Sequence, residues 1–190
     1  MRIGVISDTH GYFDPRLPTL LAGVDSILHA GDAGSRLVLE QLQAIAPLAA
    51  VRGNIDPAVL DLPSALTRQF GAIGIHLLHQ LPESPRVLRE WAEAPEANEP
   101  SSAPYRRFLR SFPRGCRVVV FGHTHDPLAQ ILGGKLFFNP GSAGKQRFSL
   151  PRCCGLLEVS RGCVRASFLA LEEHDQPIGK PVRLPIDGPA

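Results

Sequence analysis

Five runs of β-branched and apolar residues in this chain each end at a polar side chain able to hold a metal. Arg2 to Ser7 stops at Asp8-Thr9-His10, Asp25 to Ala30 at Gly31-Asp32, and Leu48 to Arg52 at Gly53-Asn54-Ile55-Asp56. Ile73 to Leu78 delivers His79, and Arg117 to Phe121 delivers Gly122-His123-Thr124-His125. Runs of this kind read as buried strands. Their carboxylates, amide and imidazoles therefore collect at one edge of a sheet, where open α/β sheets bind their ligands.

The elements between these runs fix the pairing. A turn rich in Gly and Pro and a helix over Pro18 to Gly23 separate the first two strands. Ser35 caps a helix with apolar positions at Leu37, Leu39, Leu42 and Ile45, stopped by Pro47. Strand, helix, strand, helix, strand implies parallel pairing through right-handed crossovers. Leu66 to Phe70 and Ile73 to His79 then flank Gly71-Ala72 as an antiparallel hairpin, which makes the sheet architecture mixed.

Gln80 to Pro113 changes character, because its repeated prolines forbid a long helix. It reads as an insertion or lid holding two short helices, Val87 to Ala94 and Tyr105 to Phe112, around a mobile loop. Hairpins follow at Gly133-Gly134 and Arg161-Gly162, and these final strands are expected to form a second sheet layered on the first. The domain is expected to span residues 1–175, with 176–190 a Pro-rich tail.

With 190 residues, 44% of them hydrophobic, there is enough apolar material for one substantial core. The formal charge is only +2, without a run of like charge, so stable nucleic-acid binding is not expected. The N-terminus has neither a signal-peptide pattern nor a membrane span, which points to a cytoplasmic protein. Cys116, Cys153, Cys154 and Cys163 include no CxxC pair and read as reduced packing thiols, a bridge from Cys153 or Cys154 to Cys163 being the alternative.

Asp8 and His10 are two apart, so on an extended strand end both side chains leave one face and can grip one ion; His123 and His125 repeat the spacing. Asp32 is the natural bridge between two cations, Asn54 adds a neutral oxygen and His79 an imidazole. Mixed His, Asp and Asn donors suit manganese first, with iron, zinc or nickel also compatible, and argue against calcium. Four of the seven histidines join this set. His29 and His76 read as packing residues.

This ordered series, with the trailing Asn139-Pro140-Gly141-Ser142, resembles the calcineurin-like metallophosphoesterase superfamily, and within it the small single-domain bacterial and archaeal phosphodiesterases. The resemblance implies an α/β fold, a four-layer αββα sandwich of two mixed sheets. It implies a dinuclear centre, with Asp8, His10 and His125 on one ion, Asn54, His79 and His123 on the other, and Asp32 between. It also implies a bridging hydroxide attacking phosphorus in line, with Asn54 and Asp32 as catalytic residues. The implied partner is a small phosphoester, nucleotide-like in size, and relatives often form homo-oligomers.

Two departures bear on specificity. Ile55 stands where the phosphoprotein phosphatases carry a proton-donating His, which favours phosphodiesters and leaving groups of low pKa. Gln80 stands where relatives usually have Gly and could narrow the pocket mouth. Asp56 supports the loop from behind the metals or caps the helix before Pro57. Arg147 meets a substrate phosphate or is a surface residue. Arg106, Arg107, Arg110 and Arg114 attract an anionic substrate or form a solvated helix face. The alternatives to a phosphodiesterase are a phosphomonoesterase acting on nucleotides or phosphoprotein and a protein-binding scaffold of the same fold, as in the retromer subunit; the intact ligand set weighs against the scaffold.

Overall fold

The computed structural model describes residues 1–93, 103–146, 149–172 and 178–186. Eleven strands among these residues form two sheets. The first runs, edge to edge, through β11 (Val182–Pro185), β10 (Cys163–Ala170), β9 (Cys153–Ser160), β1 (Arg2–Ile6), β2 (Ser26–His29) and β3 (Leu48–Ala50). The second runs β4 (Ala65–Phe70), β5 (Ile73–Leu78), β6 (Cys116–Val120), β8 (Lys135–Asn139), β7 (Leu128–Leu132). As expected, β1, β2 and β3 pair in parallel through helical crossovers and β4–β5 is an antiparallel hairpin.

Side-chain alternation builds the layers. In β6, Val118 and Val120 point between the sheets while Val119 points to the outer face, and all three are fully buried. A strand with parallel neighbours on both sides and covered faces needs such a continuous apolar run. Between the sheets, Ile3, Val5 and Leu157 meet Ile75, Leu77, Leu136 and Phe138. Burying each such side chain contributes about 1.5–3 kcal/mol.

Helices cover both outer faces. On the first sheet lie α1 (Leu17–Leu20) and α2 (Arg36–Gln43), through Leu17, Leu21, Val38, Leu42 and Ala46. The Ser35 hydroxyl accepts the Val38 N–H at 3.3 Å, the expected cap. The buried stripe of α2 is Val38, Leu42 and Ala46, spaced four apart, whereas Leu37 falls one residue off it and is 63% exposed. On the second sheet lie α3 (Pro85–Glu93) and α4 (Ala103–Arg110), whose Leu88, Tyr105 and Phe108 pack on Val119, Phe121 and Phe137.

Two expectations are corrected. The last hairpin does not join the second sheet: β9 pairs antiparallel with β1 and enlarges the first, because the hairpin's inward residues, Leu157 on β9 and Val164 and Ala166 on β10, complete the inter-sheet core. Residues 182–185, expected in a free tail, form the edge strand β11, held by pairing to β10 and by Leu184, which is 2% exposed. The described parts of Gln80 to Pro113 form an outer helical layer, their aromatic face buried on the sheet. The loop expected between the two helices lies outside the described residues. All four cysteines are free thiols. Burial pushes the Cys153 thiol up to about 12 and Cys154 higher still, so neither is a nucleophile near neutral pH.

Candidate metal centre

Loops leaving β1, β2 and β3 in one sheet and β5 and β6 in the other converge at a single edge. There Asp8, His10 and His125 bring one donor atom each within 4.8 Å of one another, as do Asp8, Asp32 and His79. Asn54 Oδ1 lies 2.9 Å from His79 Nε2 and 3.0 Å from His123 Nδ1. All seven side chains singled out from the sequence are therefore gathered, Asp8 being shared by the two groups.

The backbone reaches this arrangement by a route the spacing did not suggest. Asp8, His10, Asp32, His123 and His125 have φ between 50° and 71°, and among the described residues only one other non-glycine, Asp61, has positive φ. Left-handed conformation costs roughly 1–2 kcal/mol per residue for an L-amino acid. The ligand loops thus turn sharply at each strand end, and Asp8 and His10 meet through paired left-handed turns, not through an extended strand. His123 and His125 diverge: the first faces Asn54, while His125 Nε2 lies 3.1 Å from His10 Nε2 and 3.3 Å from Asp8 Oδ1.

Supporting hydrogen bonds fix each turn. Asp8 Oδ2 accepts the His123 N–H at 3.1 Å and the Ser7 hydroxyl, and the Ser142 hydroxyl donates to the Asp8 carbonyl at 2.9 Å. Asn139 Nδ2 donates to the Gly122 carbonyl and to Thr124 Oγ1, holding the His123–His125 loop. Asp56 accepts the N–H groups of Gly34 at 2.7 Å and Gly53 at 2.8 Å, so it ties the loops after β2 and β3 and does not cap the turn at Ala58–Leu60. A Cβ at Gly53 would overlap Asp32 Oδ1, which is why the chain needs glycine at this approach. Ser7, Thr9 and Asn139 were not singled out as supports, although Asn139 ends an apolar run as the ligands do.

His29 is fully buried. Its Nδ1 accepts the Gly31 N–H at 3.2 Å, so Nε2 carries the proton and donates to Thr9 Oγ1 at 3.0 Å, which in turn donates to the Ala33 carbonyl. Burial holds this imidazole neutral, its pKa pushed down to about 4. His76 packs against Phe112 and bonds Thr67, away from the centre.

The electrostatics suit cations. His79 Nδ1 donates to the Ala30 carbonyl at 2.7 Å, which directs Nε2 at Asn54 Oδ1 and, at 3.4 Å, Asp32 Oδ2; there it offers a lone pair to an ion, or a proton to Asp32 when no ion is bound. Burial opposes charge on His79, but the Asp32 hydrogen bond and the Asp8 and Asp32 charges outweigh it and raise its pKa. Burial likewise opposes charge on Asp32, yet His79 and the Ile55 N–H bring that carboxyl down to about 2. Among the described residues, Asp8 Oδ1 and His125 Nδ1 are buried without a hydrogen-bond partner. A buried carboxylate oxygen left without a hydrogen on it is costly unless something positive meets it.

Beside the centre lies a cleft of about 290 Å³ lined by residues 80–85 and 121–124, so Gln80, though exposed, stands at its wall. Arg106, Arg107, Arg110 and Arg114 are exposed, the first three on α4, as a solvated face. Arg147 lies outside the described residues. No helix among the described residues is long and apolar enough to cross a membrane.

Residues 1–162 match the calcineurin-like phosphoesterase superfamily domain. A probable metallophosphoesterase of Methanocaldococcus jannaschii is 32% identical over 158 residues, covering 80% of this chain and 71% of the relative. Among solved structures, the phosphoesterase Yfce of E. coli superposes with a TM-score of 0.66 at 25% identity, covering 97% of this chain and all of that one. Vps29 of Entamoeba histolytica complexed with zinc superposes with a TM-score of 0.70 at 23% identity, over 97% of this chain and 99% of that one. With its two mixed sheets and its clustered Asp and His donors, the chain belongs to the calcineurin-like phosphoesterase superfamily, a metal-dependent family acting on phosphoesters.

Proposed function

We propose that the protein is a phosphodiesterase using two divalent ions, manganese first and iron, zinc or nickel as alternatives. The observation that carries this reading is the convergence of lone pairs: Asp8 Oδ1, Asp32 Oδ2, Asn54 Oδ1 and His79 Nε2 face inward from loops of both sheets. Asp8, His10 and His125 would hold one ion, Asn54, His79 and His123 the other, and Asp32 both. Bound ions would supply a water of lowered pKa and neutralise charge on the phosphoryl oxygens.

The chain's own groups do the rest. Ile55 N–H, 3.0 Å from Asp32 Oδ1, fixes one carboxylate oxygen and leaves the other directed at the centre. Asn54, held between His79 and His123, is placed to touch a non-bridging phosphoryl oxygen. The Ala30 carbonyl fixes the His79 tautomer. Ile55 has no proton to give a departing oxygen, and its side chain is 49% exposed, so an alkoxide would leave unaided. Activated diesters are accordingly the better substrates, which ranks the diester reading above a nucleotide or phosphoprotein phosphomonoesterase.

The test is a metal assay joined to a substrate screen. Protein purified gently should carry about two equivalents of transition metal and, with manganese, hydrolyse bis(p-nitrophenyl) phosphate faster than serine phosphate. Faster serine phosphate hydrolysis would overturn the diester assignment. Failure to bind metal under saturating manganese would favour a scaffold role.

A further inference from the structure

Resting on the phosphodiesterase reading, we infer that the cleft beside the metal centre sorts substrates by the charge of one ester arm, accepting cationic or neutral hydroxylated alcohols and rejecting arms with a second anionic group. The cleft begins at His123 and Thr124 of the ligand loop, so an arm of an ester held at the centre enters it directly. Leu81, Pro82 and Phe121 give it apolar walls for a carbon skeleton. Its volume of about 290 Å³ matches a group no larger than a small alcohol or a nucleoside.

The polar lining is one-sided. None of the ten residues around the cleft is Lys or Arg, and the single charged one is Glu83, half-buried and without an ion pair among the described residues. A phosphate or carboxylate carried on the arm would meet this carboxylate with no Lys or Arg in the lining to offset it. An ammonium or hydroxyl would find an acceptor there, and the Gln80 amide offers both a donor and an acceptor. Arg107 is not among the residues lining the cleft; it lines an adjoining groove that shares Pro82 and Glu83 with it. Gln80 and Glu83 are thus specificity residues at the substrate, not groups acting on phosphorus.

The experiment keeps the p-nitrophenolate leaving group constant and varies the other arm. With manganese-loaded full-length protein, kcat/KM is measured for p-nitrophenyl phosphorylcholine, for the p-nitrophenyl ester of thymidine 5′-monophosphate, and for the same ester with a 3′-phosphate. The native protein should favour the first two over the third by about tenfold, an advantage that shrinks as salt screens the charge. Glu83→Gln should narrow the ratio severalfold and Glu83→Arg reverse it, with metal content and thermal unfolding unchanged. Ratios that stay the same across all three proteins would overturn the inference while leaving the phosphodiesterase reading intact. Absence of turnover on every ester would remove both.

Discussion

In the proposed centre Asp32 would serve both ions through one carboxylate. Its Oδ1 is committed to the Ile55 N–H and its Oδ2 faces His79 and the cluster, so Asp32→Asn keeps the shape and removes the charge. Turnover should fall about 100-fold or more and bound metal should drop below two per chain, while the circular dichroism spectrum stays native. His29 gives a different prediction. Its folded pKa is about 4 against 6.5 unfolded, so the unfolded chain takes up the proton first as pH falls. The stability it contributes is complete above pH 6.5 and is lost between 6.5 and 4, about 3 kcal/mol in all. Urea unfolding of metal-free protein at several pH values should show this, and in His29→Gln the slope across that window should flatten. The sequence placed His29 correctly as a packing residue, yet its bond to Thr9, between Asp8 and His10, makes it a brace that no spacing could disclose.

At the level of elements, what was legible follows from locality. Gly133-Gly134 and Arg161-Gly162 lie within their own hairpins, and Ser35 lies next to the helix it caps, so the cause and the structure are neighbours in the chain. The pairing of β9 with β1 joins residues about 150 positions apart and is decided by which apolar faces complete the inter-sheet core. Strand β11 was missed for the same reason: four residues among prolines carry no signal until β10 offers an edge. Leu184 is its anchor, and Leu184→Ala should cost about 2–3 kcal/mol in urea unfolding with little effect on turnover, since this edge is remote from the ligand loops. The gathering of the candidate ligands was readable because each follows a strand. The left-handed turns that deliver the ligands were not, because spacing alone reads as extended chain.

Across the whole molecule, the centre draws on both sheets. Asp8, His10, Asp32 and Asn54 follow strands of the first sheet, and His79, His123 and His125 follow strands of the second. Each proposed ion would therefore be held from both sides of the apolar interface. Because an ion bound only by the folded chain stabilises it by about 2.7 kcal/mol at a hundred times its dissociation constant, the melting temperature should climb with manganese and fall with chelator. A melting temperature indifferent to both would argue against the seven-ligand assignment. The left-handed turns sharpen this expectation, since their cost of several kcal/mol must be met by what the loops hold. Among the described residues the two sheets share no ladder, so an ion at their common rim would work as a rivet through two plates. Stripping it should let both plates breathe together, and faster amide exchange in β2 and β6 alike would report an empty rivet hole from deep within the interior.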